Sequence, residues 1–172
     1  MSADDTPPPV RGPALREPAH RVSPRAIAFW RVSALLGAVP IWAALVIGYA
    51  VAPARPWWAV LPSAGLALLL LGRVLVMPGF RYRIHRWEVT PIAVFTRSGW
   101  LTREERIAPL SRVQTVDSHQ GAVMRLFRLA SITVTTASAA GPIRIDCLDE
   151  DVAHRVVAEL TEITGASEGD AT

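Results

Sequence analysis

Asp117, Ser118 and His119 set the three residue types of a hydrolase triad side by side. The chemistry they would supply is acyl transfer, in which a serine attacks, a histidine takes its proton and an acid orients the imidazole. The spacing argues against it. Neighbours in a strand point to opposite faces, and triads are assembled from distant chain positions. The four histidines, His20, His85, His119 and His154, show neither an i,i+4 pair nor a paired-ligand spacing, so no metal centre is expected. The single Cys147 excludes an intrachain disulfide and any Cys-based zinc cluster. It falls on the apolar face of its strand and reads as a small core residue. Neither common Gly-rich phosphate loop occurs. The chain is therefore expected to have no catalytic residues, no metal and no cofactor.

The cations are the next candidates. All 18 are Arg, and the net charge is +3. From residue 73 onward 12 Arg face 12 Asp plus Glu, so this part is near neutral and nucleic acid is not an expected partner. Arg73, Arg81, Arg83 and Arg86, with Arg97 and Arg103, form the one basic concentration and are candidates for contact with anionic lipid. Near a membrane surface each such Arg contributes about 1 kcal/mol of attraction. The plainer reading is that they set topology and solubility. Val123, Met124 and Phe127 share one side of a helical turn and are candidates for docking a partner protein, or else fill the mouth of the domain.

These residues must be positioned by something, and the apolar residues show what. Val32 to Ala52 is uncharged over 21 positions and Trp57 to Gly72 over 16. About 20 apolar residues cross a hydrocarbon core, and the second run continues past Arg73, whose guanidinium can snorkel to the headgroups. Both runs lack the polar face of a helix packed on the surface of a small soluble core. Ala50-Val51-Ala52 looks like a signal-peptide cleavage site, but the apolar run is too long and Pro53 would follow the cut. Two antiparallel transmembrane helices are expected, with a kink at Pro40. Arg16, Arg21, Arg25 and Arg31 precede them and Arg73, Arg81, Arg83 and Arg86 follow, against Arg55 alone in the loop. That asymmetry puts both termini in the cytoplasm. No ionisable residue lies at mid-membrane, so no ion path is expected within the hairpin. Ser33/Gly37 and Ala44/Gly48 place small residues four apart, which suits helix association or packing within the hairpin.

Residues 1–25 are Pro-rich with almost no large apolar side chain and read as a disordered cytoplasmic tail. Residues 26–79 form the hairpin, 80–164 one small domain, and 165–172 a frayed end. In the domain, alternation predicts about six strands, among them Tyr82 to Val89, Ile92 to Gly99, Leu101 to Ala108 and Val113 to Gln120. Gly121 to Leu129 is expected to be a helical turn. Val152, Val156 and Leu160 form an apolar stripe at helical spacing, after acids at Asp149, Glu150 and Asp151 that suit a helix N-terminus.

Arg106-Ile107-Ala108-Pro109-Leu110-Ser111-Arg112-Val113-Gln114-Thr115-Val116, then Gln120-Gly121, Arg125-Leu126-Phe127 and Leu129 to Thr136, resemble the bacterial pleckstrin-homology-like family. The arrangement is similar to its YdbS-like membrane proteins, which place two transmembrane helices before one such domain. The resemblance implies an α+β architecture: a helical hairpin, then a PH-like antiparallel β-barrel capped by a C-terminal helix. It also implies the bacterial plasma membrane. Arg128 stands where the family pattern usually has Gly, which puts a left-handed turn there in question. Eukaryotic relatives hold phosphoinositides with basic residues in the first hairpin loop, and Glu88-Val89-Thr90-Pro91 has none. The function expected is a non-enzymatic interaction module at the cytoplasmic face, assembling with itself or another membrane protein, with cell-envelope maintenance as its setting. The alternative is a sensor of anionic lipid.

Overall fold

The computed structural model describes residues 17–53, 57–137 and 141–169. Helix α1 (Ala26–Val51) and helix α2 (Val60–Leu75) form the expected hairpin, and α3 (Met77–Ile84) continues α2 out of it. Both arms are long and apolar enough to cross a membrane. α1 runs unbroken through Pro40. Most of Pro53-Ala54-Arg55-Pro56, the loop between the arms, lies outside the described residues.

The domain is built on two antiparallel sheets. One has the order β1 (His20–Arg21), β2 (Arg86–Val89), β3 (Ala93–Gly99) and β4 (Arg103–Pro109). The other runs β5 (Val113–His119), β6 (Leu129–Thr136) and β7 (Ile143–Asp149), with α4 (Ala122–Leu126) between β5 and β6. The sheets are not joined into a closed barrel. α5 (Glu150–Gly169) packs across β5, β6 and β7 and buries Ala153, Val156 and Leu160. The PH-like plan of two sheets and a capping helix is therefore present, with an open seam in place of full closure.

Three sequence expectations need correction. The tail does not remain free up to residue 25, although residues 1–16 lie outside the description. His20 and Arg21 pair with Trp87 and Arg86, and Trp87 Nε1 donates to the Arg21 carbonyl at 3.3 Å. Val22, Ala26 and Trp30 are buried in the same core as Leu129, Ile132 and Leu160. The few apolar residues at the end of a polar tail are enough, because the domain already offers a sheet edge and a core opening. The transmembrane hairpin is thus inserted between two neighbouring strands. The connection after Glu88 is the second one in its sheet, and the first is the hairpin itself. Second, Tyr82 to Ile84 are helical, because the carbonyl ladder entering from α2 continues until His85 turns extended. Third, α5 continues over 165–169 of the expected frayed end. Gly165 costs only about 1 kcal/mol in a helix, and no proline stops the ladder.

Among the described residues two non-glycine residues adopt left-handed backbone, Arg128 (φ 53°) and Cys147 (φ 57°). At Cys147 the β6–β7 register slips, so that Asp146 and Cys147 together oppose Ser131. Such a bulge bends the strand and re-aims its groups. The Cys147 N–H reaches Ser131 Oγ at 3.3 Å, while its carbonyl accepts from the Ser23 N–H at 2.9 Å. Arg128 closes the turn from α4 into β6, and its carbonyl accepts from the Glu150 N–H at 3.1 Å. Left-handed backbone costs an L-residue about 1–2 kcal/mol that glycine avoids. Arg128→Gly should therefore raise the thermal midpoint of the full chain in detergent, by an amount worth about 1 kcal/mol, whereas Arg128→Val should lower it.

Candidate functional site

The residues of interest meet where the hairpin enters the domain. Ala26 and Trp30 lie one turn apart on α1 and are buried, so the first two turns of α1 belong to the domain core rather than to the bilayer. Trp30 packs edge-on against His85, ring centroids 5.4 Å apart, and the Arg81 guanidinium lies over the indole at 4.5 Å. A cation over an indole face contributes about 0.5–2 kcal/mol, more as water is excluded. Arg81 also faces Asp146 on β7 at 3.7 Å and donates from Nε to His85 Nε2 at 3.3 Å. A guanidinium can only donate, so Nε2 is the acceptor and Nδ1 carries the proton. That proton goes to the Arg81 carbonyl, 2.9 Å away. Beside this cluster, Ser23 Oγ (2.8 Å) and Arg25 (3.2 Å) both bind Asp149. Asp149 therefore clamps the chain just before α1.

Burial holds His85 below its ordinary value of 6.5, and the adjacent Arg81 charge pushes the same way. The imidazole is kept neutral. Burial, together with the neighbouring Asp146 charge, raises the Cys147 thiol to about 12. Cys147 is accordingly inert and fills the core position expected of it.

The six candidate arginines divide. Arg81 is committed as described. Arg97 is buried, bonded to Glu17, with its Nε 2.9 Å from Glu105 but not aligned for a hydrogen bond. Arg86 faces Glu17 at 3.6 Å and donates to the Pro18 carbonyl at 3.4 Å. Lipid contact by Arg97 is ruled out by its burial, and Arg81 and Arg86 serve the clamp. Sequence reading missed this because the acids that take them, Glu17, Glu105 and Asp146, come from three distant segments. Arg73, Arg83 and Arg103 are exposed.

A polar crevice of about 220 Å³ opens at the seam between the sheets, lined by His85, Arg97, Arg106, Arg144, Glu104 and Asp146 among others. Its charges are matched in place. Arg106 pairs with Glu104 at 2.6 Å and Arg144 with Asp146 at 3.7 Å, while Arg106 spans the seam to the Pro142 carbonyl at 3.1 Å. Each of these ion pairs lies within one strand, and the Arg106 hydrogen bond to Pro142 is what spans the seam here.

The docking candidates turn inward. Met124 is 9% exposed, and Phe127 packs edge-on against Phe29 of α1 with centroids 6.3 Å apart. Val123 is half-buried. The exposed apolar residue of α4 is Leu126, one position from the expected set. Asp117, Ser118 and His119 are consecutive, exposed residues of regular β5, paired opposite Thr133, Ile132 and Ser131. Ser118 therefore points away from both of its neighbours. Among the described residues no group of His, Cys, Asp and Glu is arranged to hold a metal ion.

With this geometry in view, a family model described as the bacterial PH domain matches residues 31–164. The chain is 26% identical over 158 residues to the transmembrane protein YdbS of Bacillus subtilis (strain 168), covering 90% of this chain and 98% of that one. No solved structure matches. Neither match indicates a catalytic family.

The neutral His85 links stability to pH. Below about pH 6.5 an unfolded imidazole takes up a proton that the folded one refuses, so stability falls as the pH falls, until the folded value is reached. Thermal midpoints of the full chain in detergent should drop as the buffer is taken from about pH 7.5 to about pH 5.5. His85→Gln, which keeps a donor and an acceptor but cannot titrate, should make that dependence shallower. Trp30→Ala should cost about 3–5 kcal/mol at any pH, because it opens a cavity between α1 and the domain.

Proposed function

The chain belongs to the bacterial PH domain family, and on that premise we propose that it is a non-enzymatic interaction module, anchored at the cytoplasmic face of the plasma membrane and assembling with itself or another membrane protein. The observation that supports this reading most is on α1. Gly37 and Gly48 are exposed, and a Cβ built on either meets nothing within 4 Å. They are not used to pack α1 against α2. Ser33, Gly37, Ala44 and Gly48 fall within an arc of about 60° on the helix, which makes one continuous small-residue stripe. In lipid, where apolar burial gives no drive to association, such stripes let backbones approach and gain van der Waals contact. Both termini on the cytoplasmic side follows from the arginine asymmetry, and the docking of residues 17–25 on the domain supports a common side for both ends of the hairpin. A place in the bacterial plasma membrane supports cell-envelope maintenance as the setting. The second reading, a sensor of anionic lipid, rests on the exposed Arg73, Arg83 and Arg103.

Crosslinking the full-length protein in its native membrane, scored by mass spectrometry, separates the two. Gly37→Leu combined with Gly48→Leu should reduce the crosslinked species severalfold while leaving the amount of folded protein unchanged. Unaltered crosslinking would remove the helix-face basis of the assembly reading. Loss of co-purified anionic lipid on replacing Arg73, Arg83 and Arg103, with no protein crosslink in the wild type, would move the function to the lipid sensor.

A further inference from the structure

Among the described residues six large apolar side chains of α3 and the domain stand in the open: Phe80, Ile92, Trp100, Leu101, Ile107 and Leu126. They are not spread evenly. β3 runs antiparallel to β2, and Arg97 pairs with Arg86, the first residue of β2. Ser98, Gly99 and the turn after them therefore run past the start of β2 and back along α3, against which β3 packs. The two strand residues beyond Arg97, Ser98 and Gly99, extend about 7 Å before the chain turns back. The eight residues of α3 rise about 12 Å. The Trp100–Leu101 tip thus draws level with the middle of α3, at about the height of Phe80 and about one turn from the end that leaves the membrane span. On the other side of the hairpin, α4 packs on α1, with Phe127 against Phe29 in the first turn of α1. Leu126, 81% exposed, stands beside the point where α1 leaves the domain. Ile92 and Ile107 lie toward the opposite end of the first sheet, with Ile92 joined to Leu110 there.

The tip is also built to stay sharp. Gly99 has φ +124°, and a Cβ there would meet the Thr102 carbonyl oxygen at 1.8 Å, so only glycine allows this turn. Each apolar tip is flanked by exposed arginine: Arg103 follows the turn, Arg83 lies on α3, and Arg125 precedes Leu126. An apolar point beside a cation matches a headgroup layer, where carbon meets acyl chains and guanidinium meets phosphate.

We propose that the Trp100–Leu101 turn and Leu126 insert into the headgroup region of the leaflet the hairpin enters, with Arg83, Arg103 and Arg125 at the level of the phosphates. The domain is then seated on lipid at three points, the hairpin and one tip on either side of it, which resist tilting of the domain toward either tip. This rests on the hairpin spanning a bilayer and is independent of what, if anything, the chain assembles with.

The test uses the full chain carrying Leu101→Cys, Leu126→Cys or Ile92→Cys, each labelled with an environment-sensitive fluorophore. The chain is reconstituted in phosphatidylcholine vesicles with and without phosphatidylglycerol. The wild type, whose buried Cys147 has a thiol raised to about 12, serves as the unlabelled control. A label at Leu45→Cys in α1 reports the span itself through lipid carrying a deep nitroxide. Labels at 101 and 126 should be quenched by a shallow lipid nitroxide severalfold more than the label at 92, and should be shielded from aqueous iodide. Stronger lipid quenching with phosphatidylglycerol supports the arginine contacts, and equal quenching in both vesicles overturns that part. Labels at 101 and 126 as open to iodide as the one at 92, while 45 reports a span, would overturn the seating. Shielding from iodide without lipid quenching would overturn it in favour of a protein covering the tips.

Discussion

The hydrogen-bonded pairing of β1 with β2 sets most of this architecture, because the entire transmembrane hairpin is the connection between those two neighbouring strands. An antiparallel pair brings the end of one strand beside the start of the next. Both arms of the hairpin must therefore leave the domain from the same end of one sheet. The bulge at Cys147 extends the constraint to the second sheet, since its carbonyl takes the Ser23 N–H and Asp149 takes the Ser23 hydroxyl and Arg25. Residues 17–25 thus bridge both sheets before the chain enters the bilayer. A conventional tether would leave its domain free to rotate. Here the first turns of α1 are buried core.

Arginine makes that junction workable. Each guanidinium carries several donors in a rigid plane and keeps its charge when partly buried. Arg81 uses this to touch an indole face, an imidazole nitrogen and a carboxylate at once. Arg97 joins Glu17 to Glu105, and Arg106 crosses the seam between sheets that share no backbone ladder. Breaking a buried pair of this kind is costly, because it strands a charge away from water. The basic character that suggested lipid attraction is therefore divided between internal fastening and exposed arginines, Arg73, Arg83 and Arg103 among them.

The surfaces left over have different chemistry at different depths. Along α1, small residues face away from α2 within the span, where only close packing rewards contact. At the level of the headgroups, apolar tips are flanked by exposed arginine. At the far end of the first sheet stand Ile92 and Ile107. Because the junction is rigid, a partner helix held at the stripe would also fix the orientation of the domain. Coupling of this sort needs no moving part between span and domain.

The chain's own sequence was sufficient for everything governed by local period and composition. Uncharged runs of membrane length, the extended segments that become β3 to β7, the helical stripe of α5 and the turn at α4 are each set by neighbours within a few residues, and the structure has them. Cys147 as core and Ser118 facing away from His119 follow from alternation along a strand. Tertiary structure decided what depends on distant partners. Two residues, His20 and Arg21, carry no strand signal of their own and become a strand only because the β2 edge is there. The pairing of Arg97 with Glu17 joins residues 80 apart and left no trace in either neighbourhood. Met124 and Phe127 looked like an outward knob by helical spacing, but spacing defines a face without saying what lies against it, and α1 lies there. Long-range burial, ion pairing and the left-handed bulge at Cys147 are properties of the assembled core, where the free energy depends on all the surrounding elements at once.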